Sequence, residues 1–138
     1  MRYLIDTNII SELIKPQPNQ HVLDWFAKIP NESIFISALT IGELRKGIEM
    51  LEPGKKRTKL LHWLEQDLLK WFGYNIIPIS LEVAHRWGVI SSRIKKALPV
   101  VDTLIAATAA THDLRIVTRN EADFCLPDVE VINPFNFH

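Results

Sequence analysis

Four acidic residues lie beside apolar segments of the sequence, where an unpaired carboxylate would be costly to bury. Asp6 follows the apolar run Tyr3–Ile5, Glu43 lies beside a helical apolar stripe, Asp102 lies within an apolar stretch, and Asp123 follows a later apolar run. If the four met in one cleft, their repulsion would raise some of their pKa values unless a cation neutralised them. Oxygen ligands without His or Cys favour Mg²⁺ or Mn²⁺ over zinc. Such a metal supplies a hydroxide-like nucleophile, so the pattern points to phosphodiester hydrolysis.

Each acid also has an ordinary structural explanation. Asp6 and Asp102 are both placed to cap a following helix, because aspartate is a common N-cap residue. Asp123 lies in a polar segment typical of a turn. Glu43 precedes Lys46 by three residues, a spacing at which a helix pairs opposite charges. A structural explanation suffices for each acid alone, and only the joint pattern favours a shared site.

The elements that must position these acids alternate between strands and helices. Tyr3–Ile5 shows no alternation of apolar and polar residues, which is typical of a strand buried on both faces of a parallel sheet. The whole pattern favours an α/β fold with helices on both faces of a parallel sheet. Ligands bind such sheets at the carboxyl ends of the strands, where Asp6 would lie. The predicted strands are 3–5, 33–37, 76–79, 114–118 and 129–132, and the predicted helices are 9–14, 20–29, 40–51, 55–72, 81–94 and 102–110.

Length, charge and composition set further limits. The chain has 138 residues, which predicts a single domain over residues 1–138. Its formal net charge is zero, so the chain as a whole does not indicate nucleic-acid binding. Cys125 is the one cysteine, as suits a reducing compartment. Asp6 interrupts the first apolar run, and no run approaches the roughly 20 residues that span a bilayer. We therefore expect a cytoplasmic protein without membrane contact.

Four short motifs contain these acids, in a fixed order along the chain. They are Leu4-Ile5-Asp6-Thr7-Asn8, Gly42-Glu43-Leu44, Val101-Asp102-Thr103, and Thr118-Arg119-Asn120 with Asp123-Phe124. Together they resemble the PIN domain, and above all the VapC-type toxins of toxin–antitoxin pairs with their FitB-like relatives. The resemblance extends over essentially the whole chain. It implies a three-layer α/β/α fold with a central, mainly parallel sheet, and a Mg²⁺- or Mn²⁺-dependent endoribonuclease that acts as the toxin of a type II pair.

The resemblance also implies roles for individual residues. The catalytic residues, which would hold the metal, are Asp6, Glu43, Asp102 and Asp123, with Glu121 as the alternative to the last. The supporting polar residues are Thr7, Asn8, Thr118 and Asn120.

Basic residues are concentrated around one predicted helix junction. This run could neutralise RNA phosphates, or it could be an ordinary solvated helix end. Arg119 lies beside the proposed acids and could contact phosphate directly. The resemblance further implies a homodimer, a cognate antitoxin with a segment that can block the acidic pocket, and operator DNA reached only through the antitoxin. The basic run comprises Arg45, Lys46, Lys55, Lys56, Arg57 and Lys59, of which Arg45 and Lys46 lie nearest to Glu43 in the sequence.

Two other functions suit parts of the pattern. An aspartate-based phosphatase or phosphoacceptor domain would also place an aspartate after its first strand. Asp6-Thr7-Asn8 lacks, however, the second aspartate two residues on that a haloacid-dehalogenase-type phosphatase would show. A non-catalytic PIN-fold module could bind a partner, but it would not need four acids.

Overall fold

A five-stranded sheet forms the centre of the computed structural model, which describes residues 1–138. The strand order is β3-β2-β1-β4-β5, and every neighbouring pair is parallel. The predicted parallel α/β architecture is therefore confirmed. The strands are β1 (Tyr3–Ile5), β2 (Ile34–Ser37), β3 (Ile76–Ile77), β4 (Arg115–Val117) and β5 (Val131–Ile132).

Seven α-helices connect and cover the strands, and their ends follow from local capping. Asn19, Ser37 and Ser80 each accept a hydrogen bond from a backbone N–H of the helix that follows. Gly73 ends the fifth helix with a φ of 53°, a left-handed conformation that favours glycine. The helices are α1 (Thr7–Leu13), α2 (Gln20–Lys28), α3 (Ala38–Glu49), α4 (Lys55–His62), α5 (Leu69–Phe72), α6 (Leu81–Arg93) and α7 (Val100–His112), with a π-helical segment, Trp63–Leu68, joining α4 to α5.

Several element boundaries differ from the predicted ones. Helix α3 begins two residues earlier than predicted, because the Ser37 hydroxyl caps it by accepting from the Leu39 N–H at 3.1 Å. Strand β3 ends at Ile77 instead of reaching Ile79, since Pro78 has no N–H for the ladder. The order of the strands places β3 at an edge, the position in a sheet that tolerates a nearby proline.

The core consists of two main layers, one on each face of the sheet. Successive side chains of a strand point to opposite faces. Tyr3 and Ile5 accordingly pack with residues of α1 to α5, whereas Leu4 packs with residues of α7 such as Ile105. All three residues of β1 are buried, with Tyr3 the most exposed at 8%, which confirms the strand buried on both faces. No helix is both long enough and apolar enough to span a bilayer.

The chain changes direction across the sheet between β1 and β4. Strands β1, β2 and β3 progress towards one edge, and the chain then returns to place β4 on the other side of β1. In open α/β sheets, such a switch leaves a crevice outside the carboxyl ends of the two strands, where ligands bind. Asp6 directly follows β1 and Thr118 directly follows β4, so both residues lie at this crevice.

Candidate acidic site

Asp6 is a buried carboxylate held by three hydrogen-bond donors. Its side chain accepts from the Thr7 N–H at 2.8 Å through Oδ1, and from Thr118 Oγ1 at 2.8 Å and Asn8 Nδ2 at 3.3 Å through Oδ2. The residue is only 6% exposed. Asp6 therefore caps α1, as the structural explanation required, and also fixes a carboxylate at the switch point.

Thr118 connects the turn after β1 to the segment after β4. It is fully buried, and its hydroxyl accepts from Asn8 Nδ2 at 3.2 Å and from the Asn120 N–H at 3.1 Å while donating to Asp6. Asn8 extends the network because its Oδ1 accepts from the Arg119 N–H at 3.2 Å. A hydroxyl has one donor and two acceptor positions, so Thr118 uses its full capacity.

Glu43 reaches the same network from α3. Its Oε1 accepts from Thr7 Oγ1 at 2.6 Å, and Thr7 also donates its backbone N–H to Asp6. No ion pair joins Glu43 to Lys46 within 4.0 Å, so the pairing that the helix spacing suggested is wrong. The Glu43 carboxylate is instead directed towards α1 and the switch point.

Asp102 lies in the first turn of α7 and does not cap it. The helix begins at Val100, and Pro99 at the N-cap position makes no side-chain capping hydrogen bond. The capping explanation for Asp102 is therefore wrong. Thr103 instead holds this turn: its hydroxyl donates to the Val100 carbonyl at 2.8 Å and accepts from Trp87 Nε1 at 2.9 Å. Trp87 lies on α6, 16 residues before Thr103, so no local pattern in the sequence indicates this contact.

The four acids share one electrostatic environment. The pKa of Asp102 is raised to about 6, first by burial and then by the negative charges of Asp6, Asp123 and Glu43. Burial is also the main cause that raises the pKa of Asp6, to which Glu43 and Asp123 add, while the hydrogen bonds from Thr118 and Thr7 oppose the rise. Four carboxylates from separate segments are thus close enough to repel one another.

The donor chemistry of this group fits a hard divalent cation, since all four side chains are carboxylates. No three His, Cys, Asp or Glu side chains, however, form a ready-made ligand set for a metal ion. Mg²⁺ commonly takes only one or two carboxylates directly and keeps several waters. The arrangement therefore suits a partly hydrated ion and not a closed protein cage.

The segment Glu121–Phe124 presents two candidate acids in different environments. Glu121 accepts a hydrogen bond from Asn133 Nδ2 at 3.2 Å. Asp123 is half-buried, and its charge contributes to the raised pKa of Asp102. Phe124 is 1% exposed and anchors this short 3₁₀ turn in the core. Of these two acids, Asp123 is therefore the one whose charge acts on Asp6 and Asp102.

Residues 3–129 of the chain match the PIN domain family. The chain belongs to this family. Toxin FitB of Neisseria gonorrhoeae is 40% identical over 136 residues, which are 96% of this chain and 98% of that protein. The VapC ribonuclease Y4jK of Sinorhizobium fredii is 33% identical over 135 residues, 96% of each chain. The resemblance carried by the four motifs is thus confirmed for the family.

Solved structures of PIN relatives share the whole fold. The crystal structure of FitAcB from Neisseria gonorrhoeae superposes with a TM-score of 0.92 at 40% identity and covers 98% of this chain and 99% of that one. The structure of FitAB bound to the IR36 DNA fragment gives a TM-score of 0.90 at 35% identity, with 99% and 97% covered. A toxin–antitoxin complex from Klebsiella pneumoniae gives 0.70 at 28% identity, with 96% and 97% covered.

Ion pairs neutralise part of the basic run beside α3 of this PIN domain. Arg45 pairs with Glu49 at 2.9 Å and with Glu65 at 3.1 Å, and Arg57 also pairs with Glu49. Lys46 is exposed and has no acidic partner within 4.0 Å. Of the two predicted RNA contacts on α3, Arg45 is therefore engaged elsewhere, and Lys46 remains a candidate.

Arg119 is held beside the acidic site by an aromatic ring. Its guanidinium carbon lies 4.4 Å from the centre of the Phe135 ring, and its backbone N–H is bound by Asn8. No carboxylate lies within 4.0 Å of the guanidinium. Its guanidinium N–H donors are not used in an ion pair, and the contact with phosphate stays a prediction.

Proposed function

We propose that this PIN domain protein is a metal-dependent endoribonuclease and acts as the toxin of a type II toxin–antitoxin pair. The main support is the group of four acids at the switch point, where burial, and then the negative charges of Asp6, Asp123 and Glu43, raise the pKa of Asp102 to about 6. A group of like charges in a crevice is stable only when a cation or protons compensate it. The names of the relatives, Toxin FitB and VapC ribonuclease Y4jK, support the same activity.

The residues that would hold Mg²⁺ or Mn²⁺ are Asp6, Glu43, Asp102 and Asp123. When bound, the ion supplies a hydroxide-like nucleophile and neutralises charge on the phosphate. The supporting residues act on the acids themselves. Three donors keep Asp6 in one orientation, and two of them, Thr118 and Thr7, oppose the rise of its pKa, while the Thr7 hydroxyl positions Glu43. Positioning of this kind means that the ligands need little rearrangement when the ion and the RNA arrive.

The proposed partners follow from the relatives that were solved as complexes. We propose that this chain binds a cognate antitoxin, reaches operator DNA only through that antitoxin, and forms a homodimer. A basic antitoxin side chain would complement the acidic group, since an opposite charge lowers raised carboxyl pKa values as a metal does. Co-expression with a candidate antitoxin, followed by size-exclusion chromatography, would test both the complex and the dimer.

The activity is tested with protein purified free of any partner. We expect it to cleave RNA in the presence of Mg²⁺ or Mn²⁺ and to stop when EDTA is added. Asp102→Asn and Asp6→Asn should abolish cleavage while circular dichroism shows that the fold is kept. Glu121→Gln is the matched control, because this acid lies near Asp123 in the sequence but binds Asn133 instead.

Three results would contradict the proposal. RNA that stays intact with both metals would favour a module that only binds a partner. A covalent phosphate on Asp6 would indicate the aspartate-based phosphatase class. Loss of cleavage in Glu121→Gln together with full activity in Asp123→Asn would refute the choice of the fourth acid.

A further inference from the structure

A cavity of about 440 Å³ adjoins the acidic site on the side of Asp123. Its walls are the end of α6, the loop between α6 and α7, and residues 122–128. Asp123 is both a wall residue of this cavity and one of the four acids. A ligand that fills the cavity therefore comes next to whatever occupies the acidic site.

The wall of the cavity combines apolar and cationic groups. Half of the lining residues are hydrophobic, including Ile94, Leu98 and Leu126. Lys95 and Lys96 line it as well, are exposed, and have no carboxylate within 4.0 Å. This mixture complements a nucleotide, which has an apolar base face and an anionic phosphate.

The charges around the cavity favour an anionic occupant at its rim. Arg93 is the third cation of the lining and lies 4.0 Å from Asp128, so its charge is partly matched. The two lysines have no such partner. They are therefore the cations of this wall that are free to bind phosphate.

We propose that this cavity binds the nucleotide next to the scissile phosphate of a single-stranded RNA. The proposal rests on the ribonuclease function proposed above. The aliphatic wall at Ile94 and Leu98 would cover one face of an unstacked base, and Lys95 and Lys96 would bind the adjoining phosphates. A base can enter such a cavity only when it is unpaired, because a base inside a duplex is stacked and its edges are engaged. The cavity thereby selects both single-stranded RNA and the position of the cut.

Binding is measured in the Asp102→Asn background, where turnover is expected to be absent. Fluorescence anisotropy with a labelled single-stranded RNA, at a fixed Mg²⁺ concentration, gives the affinity as a function of monovalent salt. The test variant is Lys95→Gln/Lys96→Gln. The control is Lys28→Gln/Lys70→Gln, which removes the same charge from exposed positions outside the cavity.

The salt dependence separates the two variants. Each phosphate contact to a single strand contributes about 0.7 to the slope of log K against log salt, so losing two should reduce the slope by roughly 1.4. The control should keep the slope of the parent protein. An unchanged slope in the test variant, or an equal reduction in both variants, overturns the assignment of the lysines.

The apolar wall is tested through the position of the cut. Leu98→Ala removes part of the wall, and Leu98 belongs to none of the buried core clusters, so the fold should be kept. With the four acids intact, we expect cleavage of a mixed-sequence RNA to continue but with altered preference for the nucleotide beside the cut. The matched control is Leu23→Ala on α2, a partly exposed leucine outside the cavity.

The two proposals fail in different ways. If the unmodified protein cleaves RNA, but the variants Lys95→Gln/Lys96→Gln and Leu98→Ala keep its salt slope and its cleavage pattern, the cavity is not the subsite and the ribonuclease function stands. If the unmodified protein cleaves no RNA with either metal, the ribonuclease function fails, and the subsite fails with it.

Discussion

Replacing Asp102 by asparagine should make the metal-free protein more stable, although it should abolish activity. Asparagine keeps the shape of the side chain and removes its charge. The Asp102 carboxyl accepts no hydrogen bond from another residue and forms no ion pair, so the substitution breaks no favourable contact of this kind. What it removes is the repulsion from Asp6, Asp123 and Glu43, together with the cost of burying a charge.

The size of the effect follows from the raised pKa. A rise from 3.8 to about 6 corresponds to about 3 kcal/mol, since one pKa unit is worth about 1.36 kcal/mol. Asp102 is only partly buried, so solvent screening reduces this to roughly half. Asparagine also gives up a favourable charge in the first turn of α7, worth about 0.5 kcal/mol. The expected net gain near neutral pH is about 1 kcal/mol.

The gain should depend on pH in a defined direction. The folded protein binds a proton at Asp102 more tightly than the unfolded chain does. Raising the pH removes this proton and therefore lowers the free energy of unfolding. Its unfavourable contribution is absent below about pH 3.8, grows as the pH rises towards about 6, and is constant above that. The advantage of Asp102→Asn should therefore disappear as the pH falls from about 6 to about 4.

Urea unfolding in EDTA measures the effect at neutral and at acidic pH. Asp67→Asn is the control, because Asp67 is an exposed aspartate in the segment between α4 and α5 and forms no ion pair. Adding Mg²⁺ should stabilise the parent protein more than the variant, since only the parent keeps all four acids. Two results would refute the reasoning from charge repulsion. The variant could be less stable than the parent at neutral pH, or its advantage over the parent could be as large at about pH 4 as at neutral pH.

Two further substitutions test the hydrogen bonds that position the acids. Thr118→Val should lower the free energy of unfolding at neutral pH by about 2–3 kcal/mol, because Asp6 loses a buried donor. It should also raise the pKa of Asp6 further, as NMR titration of the carboxyl carbon would show; an unchanged pKa would contradict the assigned role. Trp87→Phe should cost about 1 kcal/mol in urea unfolding, because Thr103 loses its Nε1 partner while most of the ring is kept. An unchanged unfolding midpoint would mean that this contact does not stabilise the first turn of α7.

The sequence predicted the elements of this fold better than their arrangement. Apolar runs without alternation marked the strands correctly, because β1 and its neighbours are buried on both faces. Helix caps are local in the same way, since the side-chain oxygens of Asn19 and Ser80 bind backbone N–H groups only a few residues away. The strand order could not be predicted, because periodicity describes which faces are buried and not which strand lies alongside. The π-helical segment between α4 and α5 likewise left no sign in the apolar spacing.

For Asp6 and Asp102 the sequence allowed either a helix cap or a place in the acidic site, and the structure gives a different answer for each. Capping and membership in the site were posed as competing explanations of Asp6, yet one oxygen caps α1 while the other binds Thr118 and Asn8. For Asp102 the capping explanation failed, because α7 begins at Val100. Both outcomes depend on the residue at which the helix begins. A pattern in the sequence locates that residue only to within one or two positions.

The structure divides the basic residues of the sequence into paired and unpaired ones. The basic run around α3 and α4 is conspicuous in the sequence, but Glu49 and Glu65 pair with its arginines. The sequence does not indicate that Lys95 and Lys96 lie near Asp123, because more than 25 residues separate them from it. In the structure the three residues line the same cavity. Only the packing of the loop after α6 against the segment after β4 reveals that the two regions are neighbours.

The two perturbed acids differ in a way that explains why the site holds no closed ligand set. Asp6 is fixed by three donors, so its orientation is decided by the fold before any ion arrives. Asp102 has a raised pKa but accepts no hydrogen bond, so its carboxyl can turn towards an ion at little cost. In the proposed ribonuclease, one rigid and one adjustable carboxylate would let the same crevice accept a hydrated ion and then a phosphate. A cage of four rigid carboxylates would repel itself more strongly and would leave no position for the substrate.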